Sequence, residues 1–289
     1  MKIAITGSTG FLGKRLCTQL NELGHTTFGY DISEGYDICN FEQLEEFVKK
    51  CTPDTIIHLA AIADLNIFQR NPEIGEKINI IGTNNILKVC NLHKVRMLFA
   101  STCCAYGNNN TFPSDESAPL ATVEPYALSK IISENGILKY GLPHCCMRLA
   151  TFYGPQMRKA LAPAVFMDAI HYGKVINVHG NGLQTRTMTY VDDIVSGIIT
   201  IATTEPKYDV VNISTMESVS VLDMIKTVEE CINKKAFVNF SEDREHQTHR
   251  EEISNDRLQS LGWKCDTTFK QGICNSYEWY LNNEAKFDY

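Results

Sequence analysis

Short apolar runs alternate with stretches of helical period through the first half of the chain, which is the pattern of parallel strands joined by crossover helices. The runs KIAIT (2–6), TTFGY (26–30), TIIHL (55–59), RMLFAS (96–101) and HCCMRLA (144–150) predict strands. Helices are predicted between them at about 11–23, 41–51, 73–93 and 125–140. That order predicts an α/β fold with a Rossmann-type doubly wound parallel sheet. The stretch YGNNNTFPSDESAPLATVEP (106–125) has no period and is rich in Asn, Pro, Ser and Asp, so it reads as a long surface loop bordering a ligand. Beyond about residue 155 the elements shorten: a helix near 162–172, strands near 175–178 and 184–190, and helices near 192–203 and 220–232. The expected organisation is a main domain over 1–155 and a smaller mixed α/β lobe over 156–289. Parts near 190–215, including YDVVNIS at 208–214, are expected to return to the main sheet.

Composition narrows the class. With 289 residues, 44% hydrophobic and 21% charged, the chain can bury a sizeable core. Its net charge of -7 is spread without a basic stripe, which argues against a nucleic-acid partner. No apolar run reaches the 18 or so residues of a membrane span, and the opening MKIAITGSTGFLG reads as strand and turn instead of a secretion signal. A soluble, cytoplasmic protein is expected. The eleven cysteines are odd in number, include the neighbours Cys103-Cys104 and Cys145-Cys146, and contain no C-x-x-C. They are read as small buried hydrophobes in a reducing compartment, with neither a disulfide framework nor a zinc site. His246 and His249 lack an apparent third ligand, and no metal is expected.

Two constellations carry chemistry. The first predicted strand runs into Gly7-Ser8-Thr9-Gly10-Phe11-Leu12-Gly13, and a predicted helix follows. In such a turn the first glycine permits the bend, the second lets backbone approach a pyrophosphate, and the third lets helix pack on strand, with the diphosphate at the positive helix end. Asp31, after the second strand, is placed to accept hydrogen bonds from an adenosine ribose and to repel a 2′-phosphate, so NAD is expected over NADP. Asp37 and Ile38 either cap the next helix or contact the adenine. The second constellation is PYALSK, which puts Tyr126 and Lys130 on one face of a predicted helix. A free phenol is only about 0.1% ionised at neutral pH; using it as a base requires about 4 kcal/mol of help, and a nearby ammonium is help of the right sign.

With these stand HLAA (58–61), NIIGT (79–83), STCCAYG (101–107), RLATFYGP (148–155) and RTMTYVDD (186–193). In this order the motifs resemble those of the extended short-chain dehydrogenases/reductases, the NAD-dependent nucleotide-sugar epimerases and dehydratases. The resemblance implies that Tyr126 takes the proton of the sugar's carbon-4 hydroxyl while NAD accepts the hydride. It implies that Lys130 holds the nicotinamide ribose and lowers the tyrosine pKa, and that Thr102 bonds the reacting oxygen. Leu59, Ala60 and Ala61 would line the cofactor, Asn79 would be structural, and Arg186 would grip the diphosphate of a nucleotide sugar.

Departures from the family pattern decide which reactions stay open. Thr151 stands where an Asn usually contacts substrate, and either Arg244 or Arg250 is the second diphosphate arginine. The positions that hold Asp and Glu in 4,6-dehydratases are Cys103 and Cys104 here, which disfavours that reaction. Cys104 matches the acid/base cysteine of carbon-3/5 epimerases, with Lys159 as opposing acid, yet cysteine is also filler in carbon-4 epimerases. The primary reading is an epimerase inverting carbon 4. A 3/5-epimerase, a 4-dehydrogenase, a 4,6-dehydratase and a non-catalytic dinucleotide sensor stay open as alternatives. The resemblance also implies a homodimer through the helices at 73–93 and 125–140.

Overall fold

The computed structural model describes residues 1–243 and 248–283, without the side chains of Leu65, Asn66 and Gln69. The first half runs β1 (Lys2–Thr6), α1 (Phe11–Glu22), β2 (Thr26–Tyr30), α2 (Phe41–Cys51), β3 (Thr55–His58), α3 (Leu65–Arg70) and α4 (Pro72–Glu76). A π-helical stretch Lys77–Gly82, α5 (Thr83–His93), β4 (Arg96–Thr102), α6 (Pro125–Leu138) and β5 (His144–Leu149) follow. The second half continues with β6 (Thr151–Tyr153), α7 (Ala162–Tyr172), β7 (Val175–His179), β8 (Thr185–Tyr190), α8 (Val191–Thr203) and β9 (Val210–Ile213). It ends with β10 (Ser218–Ser220), α9 (Val221–Ile232), β11 (Phe237–Ser241), α10 (Asp256–Gln259) and α11 (Phe269–Asn282).

Six parallel strands form the main sheet in the order β2-β1-β3-β4-β5-β9. The return of 208–214 to this sheet is therefore observed, as β9 beside β5. Alternation along each strand divides the core between the two faces. Ile3, Ile5, Leu98, Ala100, Cys145 and Met147 pack on one face with Ile194, Ile198 and other residues of α8. Ala4, Met97, Phe99 and Cys146 pack on the other with Leu44, Val48 and Ile86. The neighbouring cysteines Cys145 and Cys146 thus serve opposite faces, both fully buried, as small hydrophobes do. A separate cluster around Phe166, Ile176, Met188, Val228 and Ile273 holds α7, α9 and α11 together.

Three expectations need correction. The single helix at 73–93 is divided, with its middle wound as a π-helix around Asn79. The Asn79 side chain accepts from Ile62 N at 2.9 Å and donates to Ile62 O and Ser129 Oγ, both at 3.1 Å; that is a structural role, and such insertions are where helices widen. Cys231 and Cys274 form a disulfide between α9 and α11, against the expectation of thiols throughout. The two helices pack side by side, which brings residues 43 apart in sequence to a Cα separation of 5.3 Å. Nor is the 106–125 segment only a surface loop. Ser114 is buried, giving its amide to Glu252 O and its carbonyl to Ser254 N, and the buried Glu116 carboxylate takes the Asn212 amide and pairs with Arg257.

Candidate active site

Ligands of doubly wound sheets bind beyond the carboxyl ends of the strands where the order reverses, here between β1 and β3. There the chain turns at Gly7 with φ +72°, and a Cβ on Gly7 would stand 2.9 Å from the Ala60 nitrogen. A Cβ on Gly13 would be 2.1 Å from Gly7 O, so α1 lies on the turn more closely than any side chain allows. The helix begins at Gly10 with no capping side chain and no acid in its first turn, which suits an anion at its positive end. Phe11 stacks on Phe152 at 5.8 Å and Leu12 is buried, so these two side chains serve packing and leave only their backbone to face a ligand.

Asp31 takes the Thr9 amide on one oxygen (3.1 Å) and the Ser33 amide on the other (3.0 Å). Burial raises its carboxyl, but these amides and the Thr9 and Ser33 hydroxyls more than offset it, and the group stays ionised below the usual range. It is at once the cap of a short turn and a fixed anion beside the cradle. Asp37 caps its own turn at Cys39 N (2.8 Å); α2 is capped by Asn40 instead, and Ile38 is buried against Gly82. Leu59 and Ala60 lie across from the turn, their amides donating to Thr6 O and Thr6 Oγ1, both at 3.2 Å, and Ala61 follows. His58 of the same motif is buried between Thr6 and Thr83, and burial with the nearby Lys130 charge lowers its pKa to about 3, so it is a neutral structural group. This glycine cradle, which an added Cβ would fill, and the adjacent Asp31 fit NAD.

The proton-handling residues meet at the end of β4. Glu124 caps α6 with both carboxylate oxygens, on Tyr126 N (3.0 Å) and Ala127 N (2.9 Å), which sets Tyr126 and Lys130 on one helix face. Thr102 closes β4, takes the Cys104 amide at 3.1 Å, and its hydroxyl is hydrogen-bonded to the Tyr126 side chain. Lys130 is buried, with Nζ donating to Ala100 O at 2.9 Å and lying 4.8 Å from the Phe99 ring and 6.0 Å from the Tyr126 ring. Burial lowers its pKa to about 7. Burial, Cys104 and Glu124 together hold the Tyr126 phenol well above its ordinary value, with Thr102 and Arg158 pulling the other way. The unliganded protein therefore keeps Tyr126 protonated, and a further positive charge is required to make it a base.

Cys104 is reached by solvent at the floor of this cleft. Its enclosure, then Glu251, push its thiol up to about 11, outweighing Thr102 and Arg186. Cys103 points the other way, donating to Arg148 O at 3.2 Å in the core. Beneath the turn that carries both, the buried Arg148 pairs with Glu134, which accepts from Ser101 Oγ at 2.8 Å, and Arg148 also donates to the Tyr106 hydroxyl at 3.0 Å. Thr151 opens β6 half-buried, in register with Met188 of β8. Arg186 is half-buried, its guanidinium on Thr185 O and Thr248 O at 2.7 Å each. Arg250 turns instead onto Phe112 and Glu252, and Arg244 and His246 lie outside the described residues. Lys159 sits exposed on the turn before α7.

Two groups escaped the sequence reading. Arg158, the neighbour of Lys159, reaches back to Ala63 O (3.3 Å) and Asp64 (3.5 Å) and is the cation that pulls on Tyr126. Glu251 enters beside Arg186 and Cys104. In the sequence only the arginines and histidines of that segment drew notice, although the pair Glu251-Glu252 was in view.

The fold and this site define a Rossmann-type dinucleotide enzyme with a Thr-Tyr-Lys set for moving a proton at a sugar hydroxyl. Residues 3–214 match the NAD dependent epimerase/dehydratase family, and the chain belongs to it. It is an NAD-dependent enzyme of the extended short-chain dehydrogenase/reductase type. It is 27% identical to a probable UDP-glucuronate 4-epimerase of Rhizobium meliloti, over 98% of each chain. It is 28% identical to a dTDP-D-glucose 4,6-dehydratase of Dictyostelium discoideum, over 98% of this chain and 82% of that one. The crystal structure of UDP-glucose 4-epimerase from Thermotoga maritima with UDP-glucose superposes with a TM-score of 0.92 at 25% identity, covering 98% of this chain and all of that one.

Proposed function

We propose that the chain is a nucleotide-sugar 4-epimerase working through a transient 4-keto sugar. The observation that carries this reading is that Thr102, Tyr126 and Lys130 converge beside the cradle while the turn after Thr102 offers no carboxylate. Tyr126 Oη takes the carbon-4 hydroxyl proton and later returns it, and Thr102 Oγ1 holds the same oxygen. Lys130, fixed by Ala100 O, places its charge beside the phenol and toward the cofactor ribose. Bound NAD supplies the hydride acceptor and a positively charged ring. Asp31 and the Gly7–Gly13 turn would hold it, with Ala60 and Ala61 along its side, and Arg186 would meet the substrate diphosphate.

Exchange at carbon 3 or 5, and elimination across carbons 5 and 6, each need a further base. A Cys104 thiol at about 11 stays protonated at neutral pH, which favours inversion at carbon 4 alone. We further take 1–155 as the NAD-binding domain and 156–289 as the substrate lobe, and place the protein in the cytoplasm. Pairing as a homodimer is supported by Ile81 and Ile132, exposed along a shallow groove with Ile80 and Leu87.

The test is incubation with UDP-, dTDP- and GDP-sugars in deuterated water. Carbon-4 inversion without solvent deuterium in the product is expected; deuterium at carbon 3 or 5, or loss of water, would overturn the assignment.

A further inference from the structure

Glu251 is a carboxylate built into the wall of the cleft. Residues 249–251 run alongside β8 ahead of the point where β6 begins to pair with it: Thr185 N donates to His249 O at 3.0 Å and Thr187 N to Glu251 Oε1 at 3.1 Å. The Glu251 carbonyl accepts from Ser218 Oγ (2.5 Å) and Thr187 Oγ1 (3.2 Å), and the carbonyl of Glu252 takes the Ser114 amide at 2.8 Å. Two strands and the 106–125 segment thus hold this carboxylate in one place. Its charge acts on Cys104, two residues from Thr102, and on Arg186, whose guanidinium is already committed to Thr185 O and Thr248 O. Burial raises its own carboxyl above the ordinary value, as expected of a group taken out of water.

A fixed carboxylate in an enclosed cleft accepts strong hydrogen bonds from a hydroxyl or an ammonium group and repels a second carboxylate. We propose that Glu251 sets the sugar specificity of this site, admitting neutral or amino sugars and rejecting uronates. The inference rests on the epimerase reading for the place of the sugar. It separates this chain from its Rhizobium meliloti relative, whose name specifies a uronate.

The experiment compares glucose and glucuronate carried on the same nucleotide diphosphate, UDP first, then dTDP and GDP. Dissociation constants and kcat/KM are measured for the wild type and for Glu251→Gln. The wild type is expected to prefer glucose by at least about 100-fold in affinity, because like charges brought together in a binding site are strongly disfavoured. Glu251→Gln is expected to raise the glucuronate-to-glucose ratio of kcat/KM by at least about 10-fold, an effect a merely structural role would not produce. A wild type that binds both sugars equally overturns the proposal without any variant, and so does an unchanged ratio in Glu251→Gln. A wild type that selects glucose in binding yet inverts neither sugar overturns the carbon-4 reading and leaves the selection by Glu251 standing.

Discussion

Replacing Lys130 by Met should make the protein more stable and inactive. The ammonium is 2% exposed, and burial lowers its pKa from 10.5 to about 7. A drop of that size corresponds to a cost of about 5 kcal/mol when the group is charged in both folded and unfolded states. Methionine of similar length avoids this cost and loses the hydrogen bond to Ala100 O and the contact with the Phe99 ring, about 1 kcal/mol each. The net gain is about 3 kcal/mol near pH 6.5, or roughly 6 °C in Tm for a chain of this size. The sign of the pH dependence follows from linkage. Below pH 7 both states bind the proton and the cost is fully present; between 7 and 10.5 only the unfolded state binds it, so wild-type stability gains with rising pH. The advantage of Lys130→Met should therefore shrink by about 2 kcal/mol between pH 7 and pH 9. Urea or thermal unfolding of the unliganded proteins at both pH values, with turnover assayed alongside, decides the matter. A variant less stable than wild type at pH 6.5, or an advantage that does not narrow by pH 9, would refute the reasoning.

Three further outcomes are expected. Tyr126→Phe should abolish turnover while retaining NAD, measured by calorimetric titration beside a rate assay; a near-normal rate would remove Tyr126 from the chemistry. Gly13→Ala forces a methyl group to 2.1 Å from Gly7 O, and since α1 must shift to relieve it, NAD affinity should fall by about 100-fold, the equivalent of about 3 kcal/mol. Unchanged affinity would show that the turn is not the cofactor cradle. The double variant Ile81→Glu and Ile132→Glu puts charges on the exposed apolar groove, so light scattering should report a monomer where the wild type is a dimer; a variant that stays dimeric would place the interface elsewhere.

Much of the site lay open in the sequence because its parts are local. Gly7, Gly10 and Gly13 sit between a strand and a helix, and Tyr126 and Lys130 are one helical turn apart behind a proline and a capping glutamate. The short elements β6, β10, β11 and α10 and the helix α11 were missed. β11 is exposed along its whole length and finds its only strand partner among the described residues in β7, 62 positions away, so its own pattern says little. The divided helix at 73–93 was missed for a related reason: Asn79 widens it through a bond to Ile62, and nothing in the helix's own period records that contact.

By itself the sequence determined the order of strands and helices, the glycine cradle, Asp31 and the Thr102, Tyr126 and Lys130 set, since period, spacing and capping act between near neighbours in the chain. Only the tertiary structure decided the protonation of those groups and the company they keep. It buried Lys130, kept Tyr126 protonated, pushed Cys104 up to about 11, brought Arg158 toward Tyr126 and Glu251 beside Cys104, and joined Cys231 to Cys274. Burial and charge are set by atoms that pack from distant parts of the chain, and their effect on a side chain appears only when those parts meet.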